Sequence, residues 1–381
     1  YVSSQALLHK GLNEGNVNAA LEKTHLILAT APTNPLALAQ LCNLYAQKMY
    51  LTADDNYLVH ATDACNRASE QAKDEPEVLF SLAQKSRREN DIESAIAYYL
   101  EVLKVSPNYS SAYVGLTESY LKKFLVTKSS EAMSLAKENI VKASRLAPND
   151  WMIPFIEARL HYYEGNASLA LKKFEESKDI EVTQNVLGNL GSIYFCNGNI
   201  EAAFQNYKAM EHEFGASNIS DHLLATASFY MQKYNDAIEY NLKSLEAMAD
   251  SNSNGLYPIW INLGDSYLAK GMKQEAMGAY EQAVKISQRS DQNTTVMVDQ
   301  LYAYLHISRI NHTFETESVK MGIRDELSSI ESQISDPGAK FRSMVIWAYL
   351  GDKEKARNIQ KVLTSQCKGL AKYPGVEDIL G

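Results

Sequence analysis

Eight histidines, four cysteines and a few neighbouring acids are the residues of this sequence that could do chemistry. His9, His25, His60, His161, His212, His222, His306 and His312 are scattered along the chain. No HExxH pair occurs, and no two histidines stand three or four residues apart, the spacing that brings two rings to one side of a helix and to one metal. The sequence also lacks GxxxxGK[ST], GxSxG, CxxC and a glycine-rich dinucleotide loop, the patterns that would cradle a phosphate, expose a nucleophile or bind zinc. The adjacent acids Asp54 and Asp55, and Glu175 and Glu176, read as solvated turn and helix charges. The expectation is a chain that is not an enzyme, with no catalytic residues, no metal and no cofactor.

Composition sets further bounds. The 381 residues are 45% hydrophobic and 22% charged, as in a folded globular chain. A formal net charge of -9 argues against nucleic acid as a partner of this region, because phosphate-backbone affinity needs clustered Lys and Arg to displace counterions. No apolar run approaches the roughly 20 residues of a membrane-spanning helix, so no membrane insertion is expected. The start YVSSQALLHKGLNEGN has neither the basic end nor the apolar core of a signal peptide. Because the chain opens on Tyr1 rather than Met, it reads as an excised part of a longer protein.

The elements that organise these residues show up as an internal period. With Ala276 as a marker, equivalent alanines occur at Ala237, Ala203, Ala170, Ala136, Ala95, Ala61 and Ala20, at spacings of 39, 34, 33, 34, 41, 34 and 41. Four of the seven steps are 33 or 34, and a fixed period of that size signals an array of one supersecondary unit. The two 41-residue steps carry inserts near 48–58 and 122–133, which are expected to lengthen the connection between two helices and to form protrusions on one rim.

The best copy runs Trp260, Leu263, Gly264, Tyr267, Gly271, Ala276, Tyr280 and Ala283. It resembles the tetratricopeptide repeat, whose pattern is Trp-x2-Leu-Gly-x2-Tyr, then Gly, Ala-x3-aromatic-x2-Ala, then Pro. A second strong copy has Leu187, Leu190, Gly191, Tyr194, Gly198, Ala203 and Tyr207, and a terminal one shows Trp347, Gly351 and Ala356. The resemblance covers essentially the whole chain. It implies an all-α fold: a right-handed superhelical solenoid of about 9–10 stacked antiparallel helix pairs. Physically, small residues such as Gly264 and Ala276 allow two helices to approach closely. Gly271 supplies the positive φ of a tight reversal, and Pro107 and Pro148 stop second helices. Each hairpin has an apolar face that it cannot bury alone, so stacking is required.

In that family the first helices line the concave surface, and the resemblance implies that their second, fifth, sixth, ninth and twelfth positions face a ligand. Here those positions hold Phe155, Arg159, Tyr162, Asn189, Ser192, Phe195, His222, Thr226, Phe229, Asn262 and Asp265. Alternating aromatic and hydrogen-bonding groups suit an extended peptide or an amphipathic helix, although some of these rings could instead pack between neighbouring first helices. The Lys and Asn set with which some members clamp a C-terminal carboxylate is missing from the neighbouring units. Cys42 and Cys65 fall on the two helices of one hairpin, where they would form a disulfide in an oxidising compartment or else be small buried residues. Cys196 and Cys367 have no evident partners.

The resulting organisation is a solenoid over 1–296 with about eight units, a diverged helix pair over 297–336, and a terminal repeat-like unit with a tail over 337–381. The diverged end units could cap the array or join two copies as a homodimer. The expected function is a protein–protein interaction module binding a peptide or protein segment in its concave groove, as scaffold or sensor part of a larger bacterial signalling protein such as a kinase or winged-helix regulator. The alternatives are an assembly scaffold of an envelope or secretion complex and the substrate-selecting arm of a glycosyltransferase.

Overall fold

The computed structural model describes residues 14–52, 54, 56–248, 256–290 and 292–380. Within these residues every regular element is helical. The chain divides into two compact units, residues 1–186 and 187–381.

The first unit opens with α1 (Glu14–Thr30) and continues as four hairpins. These are α2 (Pro35–Thr52) with α3 (Asn56–Ala72), α4 (Pro76–Arg88) with α5 (Ile92–Val105), α6 (Ser110–Thr127) with α7 (Ser130–Leu146), and α8 (Met152–Tyr163) with α9 (Ala167–Ile180). The second unit holds most of α10 (Gln184–Cys196), then α11 (Ile200–Phe214), α12 (Asn218–Tyr230), α13 (Tyr234–Glu246), α14 (Tyr257–Ala269) and α15 (Lys273–Ser287). It ends with α16 (Thr294–Ile310), α17 (Glu317–Ile330), α18 (Pro337–Tyr349), α19 (Lys353–Gln366) and the short α20 (Val376–Leu380). Within each unit the first helix of a hairpin also touches the first helix of the next, as α4 touches α6 and α14 touches α16.

The period in the sequence is a period in the packing. Ala20, Ala61, Ala95, Ala136, Ala170, Ala203, Ala237, Ala276 and Ala356 are all 0% exposed. The small residues on first helices do a different job from the one expected, for they make room for a ring rather than for a backbone. A Cβ at Gly264 would lie 2.7 Å from the Tyr280 ring, and one at Gly191 would lie 2.3 Å from that of Tyr207. Gly115 likewise accommodates Tyr99.

The reversal between first and second helices is also repeated. Its central residue has positive φ at Gly165, Gly198, Gly271 and Gly351, and equally at Asn90, Gln232 and His312. The next residue's N–H bonds back to the carbonyl five residues earlier, as from Met272 to Tyr267 at 2.9 Å and from Lys233 to Ser228 at 2.9 Å. This closes the helix end in the manner of a Schellman turn. Pro107 and Pro148 stand two residues past the ends of α5 and α7, where they block continuation.

The inserts differ from expectation. The residues added near 48–58 and 122–133 mostly extend helices instead of forming long loops: α2 and α6 have 18 residues and α3 and α7 have 17, against 13 and 14 in α4 and α5. Neither insert contains Gly or Pro, so nothing local stops the helix. Residues 249–255, between α13 and α14, read from the sequence as a polar linker and lie outside the described residues.

Candidate functional site

In the first unit, the three groove candidates share one face of α8 by their spacing, and each is engaged by neighbouring side chains. Phe155 is buried, with its ring edge-on to Trp151 and Phe174, each 5.5 Å away. Arg159 donates to Glu118 on α6 at 3.1 Å, and Arg87 on α4 holds the other oxygen of that carboxylate. Burial alone would raise the Glu118 pKa, but the guanidinium groups of Arg87 and Arg159 outweigh it and hold it below the usual carboxylate range. Tyr162 packs edge-on to Tyr163. This cluster ties three first helices together. In the same unit Cys42 and Cys65 are joined by a disulfide across α2 and α3, with Cα atoms 5.1 Å apart.

The second unit gathers its candidates. His222, Thr226 and Phe229 on α12, with Asn262 and Asp265 on α14, line one cavity of about 200 Å³. Spacings of three and four residues put each helix's set on one face. Ser192 on α10 returns its hydroxyl to the Gly188 carbonyl at 2.9 Å, and Phe195 is buried edge-on to Tyr230 at 4.8 Å. Asn189, on the same helix, is not among the residues lining this cavity.

The remaining walls come from residues that the repeat pattern did not single out. Phe341 and Arg342 on α18, Asn241 on α13, and Leu370 and Tyr373 after α19 complete the cavity. Arg342 donates to the buried Asp299 of α16 at 2.8 Å. Asn241 is 1% exposed, and its Oδ1 has no hydrogen-bond partner.

The C-terminal segment after α19 runs over the first helices of this unit. Cys367 is disulfide-bonded to Cys196 at the end of α10, so the two cysteines that the sequence left unpaired are joined across 171 positions. Gly369 sits so close to α10 that a Cβ there would lie 2.1 Å from the Phe195 carbonyl oxygen. The Lys372 ammonium donates to the Gly198 carbonyl at 2.7 Å. The Tyr373 ring contacts Phe229 at 5.1 Å, Tyr230 at 5.9 Å and Phe341 at 4.8 Å. A local sequence signal could have drawn attention to Tyr373, since it is the one aromatic residue between Cys367 and Pro374.

Burial sets the electrostatics of this region. The Asp265 carboxyl is pushed up to about 6, because burial outweighs the hydrogen bonds from Tyr280 and Tyr302 and the nearby charge of Arg342. The same desolvation, with Arg342 adding to it, takes His222 down to about 4. His306 falls to about 3 for the same reason, with Arg309 adding to it. Both imidazoles are therefore neutral near pH 7.

Among the described residues no three His, Cys, Asp or Glu side chains stand where they could share a metal ion. Likewise, no described helix is long and apolar enough to cross a membrane.

Comparison with known proteins agrees with this architecture. The tetratricopeptide-repeat family model matches residues 76–109 and 257–290, which contain α4 with α5 and α14 with α15. No curated protein sequence matches the chain. Among solved structures, the Signal Transduction ATPase with Numerous Domains (STAND) protein of Pyrococcus horikoshii, which has a tetratricopeptide-repeat sensor, is similar at a TM-score of 0.60 with 15% identity, over 86% of this chain and 54% of that one. The Cut9–Hcn1 hetero-tetramer of the APC/C is similar at a TM-score of 0.59 with 17% identity, over 81% of this chain and 54% of that one. The chain thus spans about half the length of either. At these identities the likeness is one of fold. The recurring hairpin, the nine buried marker alanines and the structural likeness lead to one assignment: the chain has the fold of a tetratricopeptide-repeat array, and its residues 76–109 and 257–290 match the family model itself.

Proposed function

We propose that this chain is a protein–protein interaction scaffold whose second unit receives an extended segment of a partner across its first helices, within a larger signalling protein where it acts as scaffold or sensor. The observation that supports this most directly is the seating of the chain's own residues 367–375 against α10 and α12. A segment in largely irregular conformation lies there with a lysine on a helix-end carbonyl and a tyrosine between two phenylalanines. These are the contacts by which a peptide gains orientation from polar groups and affinity from an aromatic anchor. The signalling context draws support from the STAND protein, in which repeats of the same fold form a sensor within a longer chain.

The test is affinity capture from the source lysate with the intact chain and with the triple variant Asn189→Ala, Thr226→Ala, Asn262→Ala, matched for helicity. A partner held by the wild type and lost by the variant supports binding along these helices. Equal retention by both would move recognition to the outer face or the end units, and would sink this reading.

A further inference from the structure

A second cavity, of about 250 Å³, shares Phe229, Asp265 and Tyr373 with the one already described. Four rings, those of Phe229, Tyr302, Tyr349 and Tyr373, contribute to its wall, together with the Asp265 carboxylate and the His306 imidazole. We propose that this cavity is a binding site for a primary alkylammonium group, held by the aromatic faces around it and by the carboxylate of Asp265. At about 30 Å³ per water-sized group, it has room for a charged nitrogen and a short alkyl stem.

Three observations carry this. First, Asp265 is an anion enclosed by rings. It is 9% exposed, and the Tyr280 and Tyr302 hydroxyls both donate to its Oδ1, at 2.7 and 3.0 Å. Among the described residues no donor reaches its Oδ2. The Arg342 guanidinium, whose charge is felt by Asp265, makes its hydrogen bond to Asp299 instead. A buried carboxylate in this state is destabilised, and a cation placed beside it relieves that cost.

Second, His306 is 4% exposed, and neither ring nitrogen has a hydrogen-bond partner. Stacked on Tyr280 at 5.1 Å and against Tyr302 at 4.5 Å, the ring is held in place and neutral near pH 7, so it adds no positive charge to the wall that would oppose a cation. A primary ammonium carries three N–H groups, so it can donate to Oδ2 and turn the others toward the ring faces. A quaternary ammonium has none.

Third, tyrosine and phenylalanine faces attract cations through their quadrupoles, most strongly where water is excluded. One face of Tyr349 is occupied by the Arg309 guanidinium, 3.6 Å from its centroid, so the ligand is left the ring's other face with Phe229, Tyr302 and Tyr373.

This site stands apart from the groove reading, because a free amine can fill it whether or not a protein partner binds. It is tested on the full chain by calorimetric titration with n-butylammonium, tetramethylammonium and neutral 1-butanol, and with Nα-acetyl-lysine methylamide. The expected result is saturable binding of butylammonium at least about tenfold tighter than butanol and tighter than tetramethylammonium. Asp265→Asn should abolish the difference between butylammonium and butanol, while Tyr349→Leu should weaken the amine several-fold and Tyr349→Phe should retain it. Near-UV circular dichroism establishes that each variant is folded. If the Asp265 variant does not fold, the Tyr349 pair and the butanol comparison decide. Binding of the lysine amide alongside butylammonium assigns the site to a lysine side chain of a partner. Binding of butylammonium alone assigns it to a small amine. Equal affinity for butanol, or no saturable binding of any amine, would overturn the proposal.

Discussion

The ring of Tyr280 fills the space that a side chain at Gly264 would need, with a carbon 2.7 Å from the ideal Cβ position. Tyr280 is fully buried and anchored by its hydroxyl on Asp265, so it has nowhere to retreat. Gly264→Ala is therefore expected to cost about 1–3 kcal/mol as overpacking. Gly278 is its control: it lies within α15 with nothing near the Cβ position, and Gly278→Ala should stabilise by about 0.5–1 kcal/mol. Urea midpoints of the two variants should move in opposite directions.

Gln232 turns α12 into α13 with a φ of +61°, where the corresponding turns at 165, 198, 271 and 351 have glycine. A left-handed conformation costs a side-chain-bearing residue about 1–2 kcal/mol, partly offset by the extra freedom glycine has when unfolded. Gln232→Gly should raise stability by about 0.5–1 kcal/mol, read as a higher thermal midpoint. Gly165→Ala, at φ +83°, should lower it by a similar amount.

The Cys196–Cys367 bond ties the C-terminal segment to α10 across 171 positions. Cross-links closing long stretches typically contribute about 2–4 kcal/mol. Cys367→Ser should lower the midpoint of residues 187–381 and make the chain cleavable after Gln366 under limited proteolysis. Mass spectrometry of the fragments is the check, and a tail equally protected in the variant would show that Tyr373, Val376 and Leu380 hold it unaided.

Acid should destabilise the chain before it reaches the carboxylate range. His222 and His306 have folded pKa values of about 4 and about 3, below the ordinary 6.5. Between those values only the unfolded chain takes up protons, so stability is full above pH 6.5 and falls as the pH drops toward 4. Asp265, raised to about 6 from 3.8, acts the other way: its contribution is greatest below 3.8 and is lost as the pH rises through 6. Asp221 and Asp299, also raised by burial, act with Asp265; the two imidazoles, whose unfolded forms charge within this window, are expected to outweigh the three acids, so urea midpoints should fall between pH 7.5 and 5. His306→Phe, which stays apolar against Tyr280 and Tyr302, should flatten that slope.

Much of the fold was legible because it rests on local, repeated contacts. Ala20 through Ala356 could be aligned by eye, and each is buried where a second helix packs. The same position rule that places Phe155 and Phe229 on first-helix faces says nothing about what covers those faces. Phe155 is closed over by Trp151 and Phe174 of its own hairpin. Phe229 meets Tyr373, which is 144 residues away in sequence. Contacts of that separation leave no periodic trace, and the partnership of Cys196 with Cys367 was hidden for the same reason. Asp265 was readable as a groove position, but its enclosure by Tyr302 and Tyr349 depends on α16 and α18, the helices on which the repeat markers are weakest.

The placement of residues 367–380 also fixes an order of events during synthesis. Hairpins built from neighbours in sequence can form as soon as they leave the ribosome, because little loop-closure entropy opposes them. The longer helices that line the two cavities, the last of them α18, end at Tyr349, so they emerge before the segment that crosses them, which itself brings Ile379 of α20 to the second cavity. Each newly made copy thus passes through a stage in which α10, α12 and α14 are folded and uncovered. A nascent chain at that stage presents to its surroundings the surface that residues 367–380 later cover.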